Sequence, residues 1–289
     1  MRSPGLLQNQ KRPRTSVSAL ILRFLVYLGA ILTIGVLLFI IGYIMVMGIP
    51  NLSLDLFAFE YNSVNVSLMP ALINTLLMVG LSLLFAVPFG IGAAIYLVEY
   101  TGRGNKLVGV VRITAETLTG IPSIVYGLFG MLFFVTALGW RMSLIAGAST
   151  LAIMILPIIM RTTEEALKAV PDTYREGSFG LGSGRLRTVF RILVPSAMPG
   201  ILAGIILGIG RIVGESAALI YTAGTVAEIP SSLLDSTRTL SVHMYVLASE
   251  GFHIDKTYAT AVVLLLIVLL INTLSAVVAR RFTKGKTDD

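Results

Sequence analysis

The 289-residue sequence contains no cysteine, which excludes disulfide staples, thiolate metal sites and cysteine nucleophiles and leaves the compartment open. Histidine is nearly as scarce. The two present, His243 and His253, lack the spacing of a metal-ligating pair and are expected at a surface or subunit contact in an outer loop. Charge is scarce too: Asp, Glu, Lys and Arg make up 13% of the residues, against about 25% in an ordinary soluble domain. No G-x-x-x-x-G-K-[ST] run occurs, so no phosphate-cradling nucleotide loop is present. Gly180, Gly182 and Gly184 neither follow a strand nor precede a lysine at the required offset. ATP, if it is used, is held by another subunit. The chain is expected to carry no catalytic residue, metal or cofactor, and no hydrophilic stretch is long enough to fold as a separate domain.

What the sequence has instead is oil: 55% of its residues are hydrophobic. Five stretches free of Asp, Glu, Lys and Arg, namely Leu25–Met47, Leu68–Val98, Thr117–Trp140, Met142–Met160 and Thr257–Ala279, approach or exceed the roughly 20 residues that cross a bilayer core. A sixth, Pro199–Ala223, is interrupted only by Arg211 and Glu215. Pro88 and Pro157 fall inside these runs, as prolines do in membrane helices whose neighbours satisfy the freed carbonyls. The expected fold is an all-α polytopic membrane protein of about six transmembrane helices. The first apolar run is longer than the core of a secretory signal and is not followed by a small-x-small cleavage site, so it is read as a retained helix.

Basic residues orient the spans, because Lys and Arg near span ends stay on the cytoplasmic side. With the N-terminus inside, of 22 Lys and Arg only Arg141, Arg238 and Lys256 fall outside and Arg211 falls within a span; the other eighteen are cytoplasmic. The net charge of +7 is thus a topology signal, not a nucleic-acid-binding face. The resulting plan is a cytoplasmic tail (1–19), a first transmembrane helix (20–47), an outer loop (48–67) and a core (68–280), ending in a cytoplasmic tail (281–289). Within the core lie an inner loop (99–116), a tight outer turn at Gly139–Ser143, a cytoplasmic segment (161–198) and an outer loop (224–256) with a short helix near Leu233–Ala248.

The cytoplasmic segment carries the most specific pattern, "REGSFGLGSGRLRTVFRILVPSAMPGI" (Arg175–Ile201). Glu176 is followed by two small residues, Gly177 and Ser178, then by Gly182, Ile192 and Pro195. This spacing resembles the E-A-A, three residues, G, nine residues, I-x-L-P motif of the binding-protein-dependent permeases of ABC importers. Both alanines are replaced by small residues, and the leucine by Val194. "EEALKAVP" (Glu164–Pro171) imitates the start of the motif but places Pro171 where the glycine belongs. Two further stretches, "GIPSIVYGLFG" (Gly120–Gly130) and "GRIVGESAALIYTAG" (Gly210–Gly224), resemble the phosphate-specific permeases. The second, with "LSVHMYVLASEG" (Leu240–Gly251), is closest to their PstA-type subunits, although the family's "GETAPL" reads "GESAAL" here and loses its proline.

The resemblance implies a type I ABC importer permease fold in a bacterial or archaeal plasma (inner) membrane. It implies as partners a homologous PstC-type permease, two copies of a cytoplasmic PstB-type ATPase and an extracytoplasmic PstS-type phosphate-binding protein. The ATPase-coupling residues it implies are Tyr174, Arg175, Glu176, Gly177, Ser178, Gly182, Ile192 and Pro195. Small residues would let the ATPase cleft approach, a glycine would turn the chain back to the bilayer, and Arg175 and Glu176 would pair with the partner's surface.

Arg211 and Glu215 need a reason of their own. Arg211 lies twelve residues beyond Pro199, about 18 Å along a helix and so near the middle of a core roughly 30 Å thick. A charge at such a depth costs about 2.5–3.5 kcal/mol on insertion scales. Four-residue spacing would put both on one helical face, where they could pair, and an internal ion pair that only fixes packing is one reading. The other is a substrate path formed by Arg211, Glu215 and Ser216. A guanidinium presents a fork of donors that matches a tetrahedral oxyanion, and a nearby carboxylate limits how tightly the anion is held. Phosphate, sulfate and molybdate are all compatible with that chemistry. An ATP-independent transporter would not need the Glu176–Pro195 pattern.

Overall fold

In water an apolar run must bury itself, whereas in lipid it must satisfy its own backbone, which favours long helices. The computed structural model describes residues 17–102 and 105–284; most of the N-terminal tail, Arg103 and the last five residues of the C-terminal tail lie outside them. Among the described residues there is no strand. The chain divides into two units, residues 1–46 and 47–289. The described part of the first, residues 17–46, lies in α1 (Val17–Gly48), an apolar helix with mean hydropathy 2.8 and no buried residue in its most apolar window.

In the second unit α2 (Met69–Ile95) starts on Pro70, whose missing N–H costs nothing in a first turn, and continues through a widened turn at Tyr96–Tyr100. α3 (Lys106–Thr119) and α4 (Ser123–Gly130), the latter prolonged by a wide turn at Met131–Ala137, meet at a 103° bend. α5 (Leu144–Lys168) is capped by the Ser143 hydroxyl, which accepts from the Ala146 N–H at 3.3 Å. It is the hub: 67% of its apolar window is buried, against 22% in α2 and 28% in the span from Arg185. α2 and α8 (Val194–Val213) flank it, and glycine sets how closely each approaches. A Cβ at Gly90 of α2 would stand 2.9 Å from Ile159 Cγ2, and one at Gly204 of α8 would collide with Thr162 Oγ1. Overpacking of this kind costs about 1–3 kcal/mol or more, so Gly204→Leu is expected to halve, at least, the yield of monodisperse protein from the membrane; fluorescence-detected size exclusion reads this directly.

Five helices are long and apolar enough to cross a membrane, and the bent α3–α4 pair supplies a sixth if taken as one broken span. Three boundaries differ from the sequence reading. The inner loop expected over 99–116 contains α3, whose Lys106, Arg112 and Glu116 kept it out of any charge-free run. Two of those charges are paired, Arg112 Nη2 with Glu164 Oε1 at 2.6 Å and Glu116 Oε1 with Arg161 Nη1 at 3.6 Å. Pro122, extended at ψ 140°, starts a new helix instead of letting Thr117–Trp140 run straight.

The span expected from Pro199 to Ala223 begins at Arg185 and ends at Val213. α7 (Arg185–Thr188), a wide turn at Val189–Leu193 and α8 form one span, and α9 (Ala217–Thr222) follows a break. Arg185, Arg187 and Arg191 are exposed on this helix; they stopped the charge-free run without stopping the helix. The wide turn ends two residues before Pro195, which has no N–H for an ordinary turn.

The tight turn at Gly139–Ser143 is present, with φ +69° at Gly139. The outer-loop helix, α10, covers Leu240–Glu250, and α11 (Ile254–Lys284) closes the unit. Asn74 of α2 holds the outer loop by donating to the Glu228 and Arg238 carbonyls at 2.9 and 3.3 Å. His243 is not a surface group but fully buried, edge-on to Tyr61. Burial, and then the charge of Arg238, lower its pKa to about 3. A histidine that titrates near 6.5 when unfolded and near 3 when folded takes up its proton preferentially in the unfolded state between those values. Stability is therefore full above about pH 6.5 and falls as the pH drops toward 3. His243→Phe is expected to flatten the decline in Tm between pH 7 and 4, measured by thermal unfolding in detergent.

Candidate functional site

Two places concentrate chemistry in this otherwise apolar bundle. The first is the break between α8 and α9. α8 ends with Gly214 as its cap, and Glu215 and Ser216 link it to α9. The break does not need the missing proline: Ser241 Oγ of α10 donates to the Gly214 carbonyl at 3.1 Å, satisfying an acceptor that the interrupted helix leaves open. α9 is held tightly on its other side, since a Cβ at Gly127 of α4 would stand 2.8 Å from Ala218 Cα. Thr222 bonds back to its own helix at the Ala218 carbonyl, 2.8 Å away, while Ser216 makes no side-chain cap bond.

The break separates the two charges that a continuous helix would have stacked. Arg211 sits in the last turn of α8, where a cation meets the negative end of the helix dipole. Glu215, 8% exposed, lies beyond the helix, and its Oε1 accepts from the Ala218 N–H at 3.1 Å. The expected Arg211–Glu215 ion pair is absent, and among the described residues no carboxylate pairs with Arg211. Its Nε is buried without a hydrogen-bond partner. Of the flanking glycines, Gly204 serves packing and Gly208 makes ordinary contact with Ile155. Gly210 meets nothing within 4 Å, and Gly214 meets only the Gly210 carbonyl. The backbone before Arg211 is thus open at Gly210, whereas Ile212 on its other side is fully buried. Guanidinium donors in general pair well with oxyanions.

The second place is α6 (Asp172–Gly180), the short helix between the α5 and Arg185 spans. Its C-terminus is closed by a Schellman motif: the Ser183 N–H donates to the Ser178 carbonyl at 3.1 Å and the Gly182 N–H to the Phe179 carbonyl at 2.9 Å, with Gly182 at φ +78°. Of the small residues expected to face a partner, only Gly177 is exposed. Ser178 turns inward and shares a 2.8 Å hydroxyl hydrogen bond with Thr188 of α7. Glu176 and Pro195 are exposed, and Ile192 is half-buried. Arg175 does not face outward either: it bonds Glu99 and the chain's own backbone. Glu164 of the imitation motif is buried in α5, paired with Arg112 and with Lys168 at 2.5 Å. The motif search missed Phe179, Leu181, Leu186 and Phe190, which stand exposed with Tyr174 around α6, Leu181 at 89%. Large apolar side chains amid Gly, Ser and Arg were the available clue.

A family described as binding-protein-dependent transport system inner membrane component matches residues 86–287. The chain is 32% identical over 239 residues to a Bacillus subtilis (strain 168) protein named as a probable ABC transporter permease, YqgI, covering 78% of this chain and 81% of that one. It is 36% identical over 233 residues to the phosphate transport system permease protein PstA of Pasteurella multocida (strain Pm70), with the same two coverages. Among solved structures, a bacterial ABC transporter involved in the import of the acidic polysaccharide alginate superposes with a TM-score of 0.64 at 18% identity, covering 89% of this chain and 96% of that chain.

Proposed function

The chain belongs to the family of binding-protein-dependent transport system inner membrane components, and from that premise we propose that it is the membrane-spanning permease subunit of an ATP-driven importer of inorganic phosphate. The observation that carries the substrate class is the unpaired Arg211 at the α8–α9 break, and the relatives named as phosphate permeases support the choice of anion. Arg211 receives the anion with its fork of donors. Ser216 offers a hydroxyl at the same break. Glu215, whose carboxylate also orders the start of α9, repels the anion enough that it leaves. No covalent chemistry is performed by this chain.

The energy arrives from below. Exposed Tyr174, Gly177 and Phe179 on α6, with Leu181 just beyond it, form the surface on which a separate cytoplasmic ATPase seats. The wide turn with Ile192 and Pro195 returns the chain to the bilayer. Closure of an ATPase dimer displaces α6, and a rigid-body shift of this chain against a homologous second permease exposes the Arg211 region to alternate sides. A PstC-type permease, two PstB-type ATPases and a PstS-type binding protein complete the assembly, with both termini of this chain in the cytoplasm. Proteoliposomes holding the whole assembly test this reading. ATP-dependent uptake of labelled phosphate, undiminished by excess sulfate or molybdate, is the expected result. Uptake without ATP, or uptake outcompeted by either rival anion, refutes it.

A further inference from the structure

We propose that Arg175 is a positioning residue that straps α6 to the cytoplasmic ends of α2 and α5, so that a displacement of α6 is delivered to the hub helix α5 and to the α2 helix packed against it. The proposal rests on reading α6 as the ATPase-docking helix. All five guanidinium N–H groups are used within the chain. Nη2 donates to Glu99 Oε1 at 2.7 Å and to the Leu167 carbonyl at 3.0 Å. Nη1 donates to the Val170 carbonyl at 3.0 Å and to Asp172 Oδ1 at 3.1 Å, and Nε is shared between the two Glu99 oxygens at 3.2 and 3.4 Å.

The bonded groups belong to three different elements. Glu99 sits in the wide turn that ends α2. Leu167 lies in the last turn of α5 and Val170 just beyond it, and the Leu167 carbonyl accepts from Arg175 as well as from the Val170 N–H. The cation also meets the negative end of the α5 dipole. Asp172 opens α6 itself. The side chains of Arg175 and Glu99 are 16% and 8% exposed, so neither charge is presented to a partner, and a charge pair so enclosed is screened little by salt. Above the strap, α2 lies against α5 at Gly90 and Ile159, and α5 against α8 at Thr162 and Gly204. Close-packed elements like these shift together and do not deform independently. The route from α6 therefore ends on the helix whose last turn carries Arg211.

Glu99→Gln keeps the shape and removes the charge from a side chain only 8% exposed. In proteoliposomes of the whole assembly, this variant is expected to retain the ATPase at native stoichiometry while phosphate imported per ATP hydrolysed falls about tenfold, the size of effect seen for residues that carry coupling. Arg175→Lys, which keeps the charge but loses the fork, should fall between the two. A second measurement leaves the strap native. Because the chain has no cysteine, spin labels can be placed uniquely at Tyr100→Cys and Gly180→Cys. Their separation is expected to stay constant through the ATP cycle with the strap intact and to vary in Glu99→Gln. Native transport per ATP in both variants, loss of the ATPase from Glu99→Gln, or a label separation that changes in the native background would each overturn the strap. Failure of the ATPase to bind the unaltered chain would instead remove the docking reading beneath it.

Discussion

Arg211→Gln is expected to abolish phosphate uptake while the variant still assembles with its partners and its ATPase still binds ATP. Hydrogen bonds to a charged group are worth about 1.5–3 kcal/mol each, so losing two to an oxyanion corresponds to a fall of about 100-fold or more in transport at limiting substrate. Stability should hardly suffer, and this separates a substrate role from a packing role. Arg211 pairs with no carboxylate among the described residues, and its Nε has no partner, so glutamine breaks no internal ion pair and removes a costly charge from the bilayer core. If the arginine served packing, Arg211→Gln would lower Tm or yield and leave uptake per assembled complex unchanged. Arg211→Lys keeps the charge without the fork and is expected to restore only part of the rate. Initial rates of ATP-driven uptake, normalised to intact complex by size exclusion, decide the matter. Full transport by Arg211→Gln would remove the anion path from this helix.

How far the sequence led can be judged at this same place. Lipid leaves one solution for a long apolar run, so most spans were legible from composition, and Glu176 with Gly182 marked the short helix and its turn correctly. The breaks were less legible, because tertiary groups decide them. Without the family's proline, nothing local announces that α8 stops at Val213. The hydroxyl that supports the stop belongs to Ser241 on α10, far along the chain. The supposed Arg211–Glu215 pair failed for that reason, since i and i+4 are neighbours only while a helix continues. Arg175 failed differently. Its neighbour Glu176 is exposed as expected, but the partner that draws Arg175 inward is Glu99, which no local pattern could connect to it. Charge counting was the other source of error: it halted spans at Lys106 and at Arg185–Arg191, although surface or paired charges do not stop a helix.

The turn after α6 permits the second strong expectation: Gly182→Val should release the ATPase from the membrane complex. The reason is conformational, not steric, because a Cβ at Gly182 would meet nothing within 4 Å. At φ +78° a residue with a Cβ loses about 1–2 kcal/mol, and a β-branched one is a genuine outlier there. The chain would escape by leaving the left-handed region. That breaks the two hydrogen bonds from Gly182 and Ser183 that close α6, each worth about 1 kcal/mol. The loss of pre-formed geometry should lower ATPase co-purification about tenfold or more, since every 1.4 kcal/mol is a factor of ten. Gly182→Asn is the discriminating control. Asparagine is larger than alanine but tolerates the left-handed conformation, so it is expected to keep more of the ATPase than Gly182→Ala does. If size were what mattered at a docking cleft, the order would be reversed. Retention of the ATPase by Gly182→Val at native levels would mean that the geometry of this turn does not govern docking, and the exposed apolar side chains around α6 would then need another occupant.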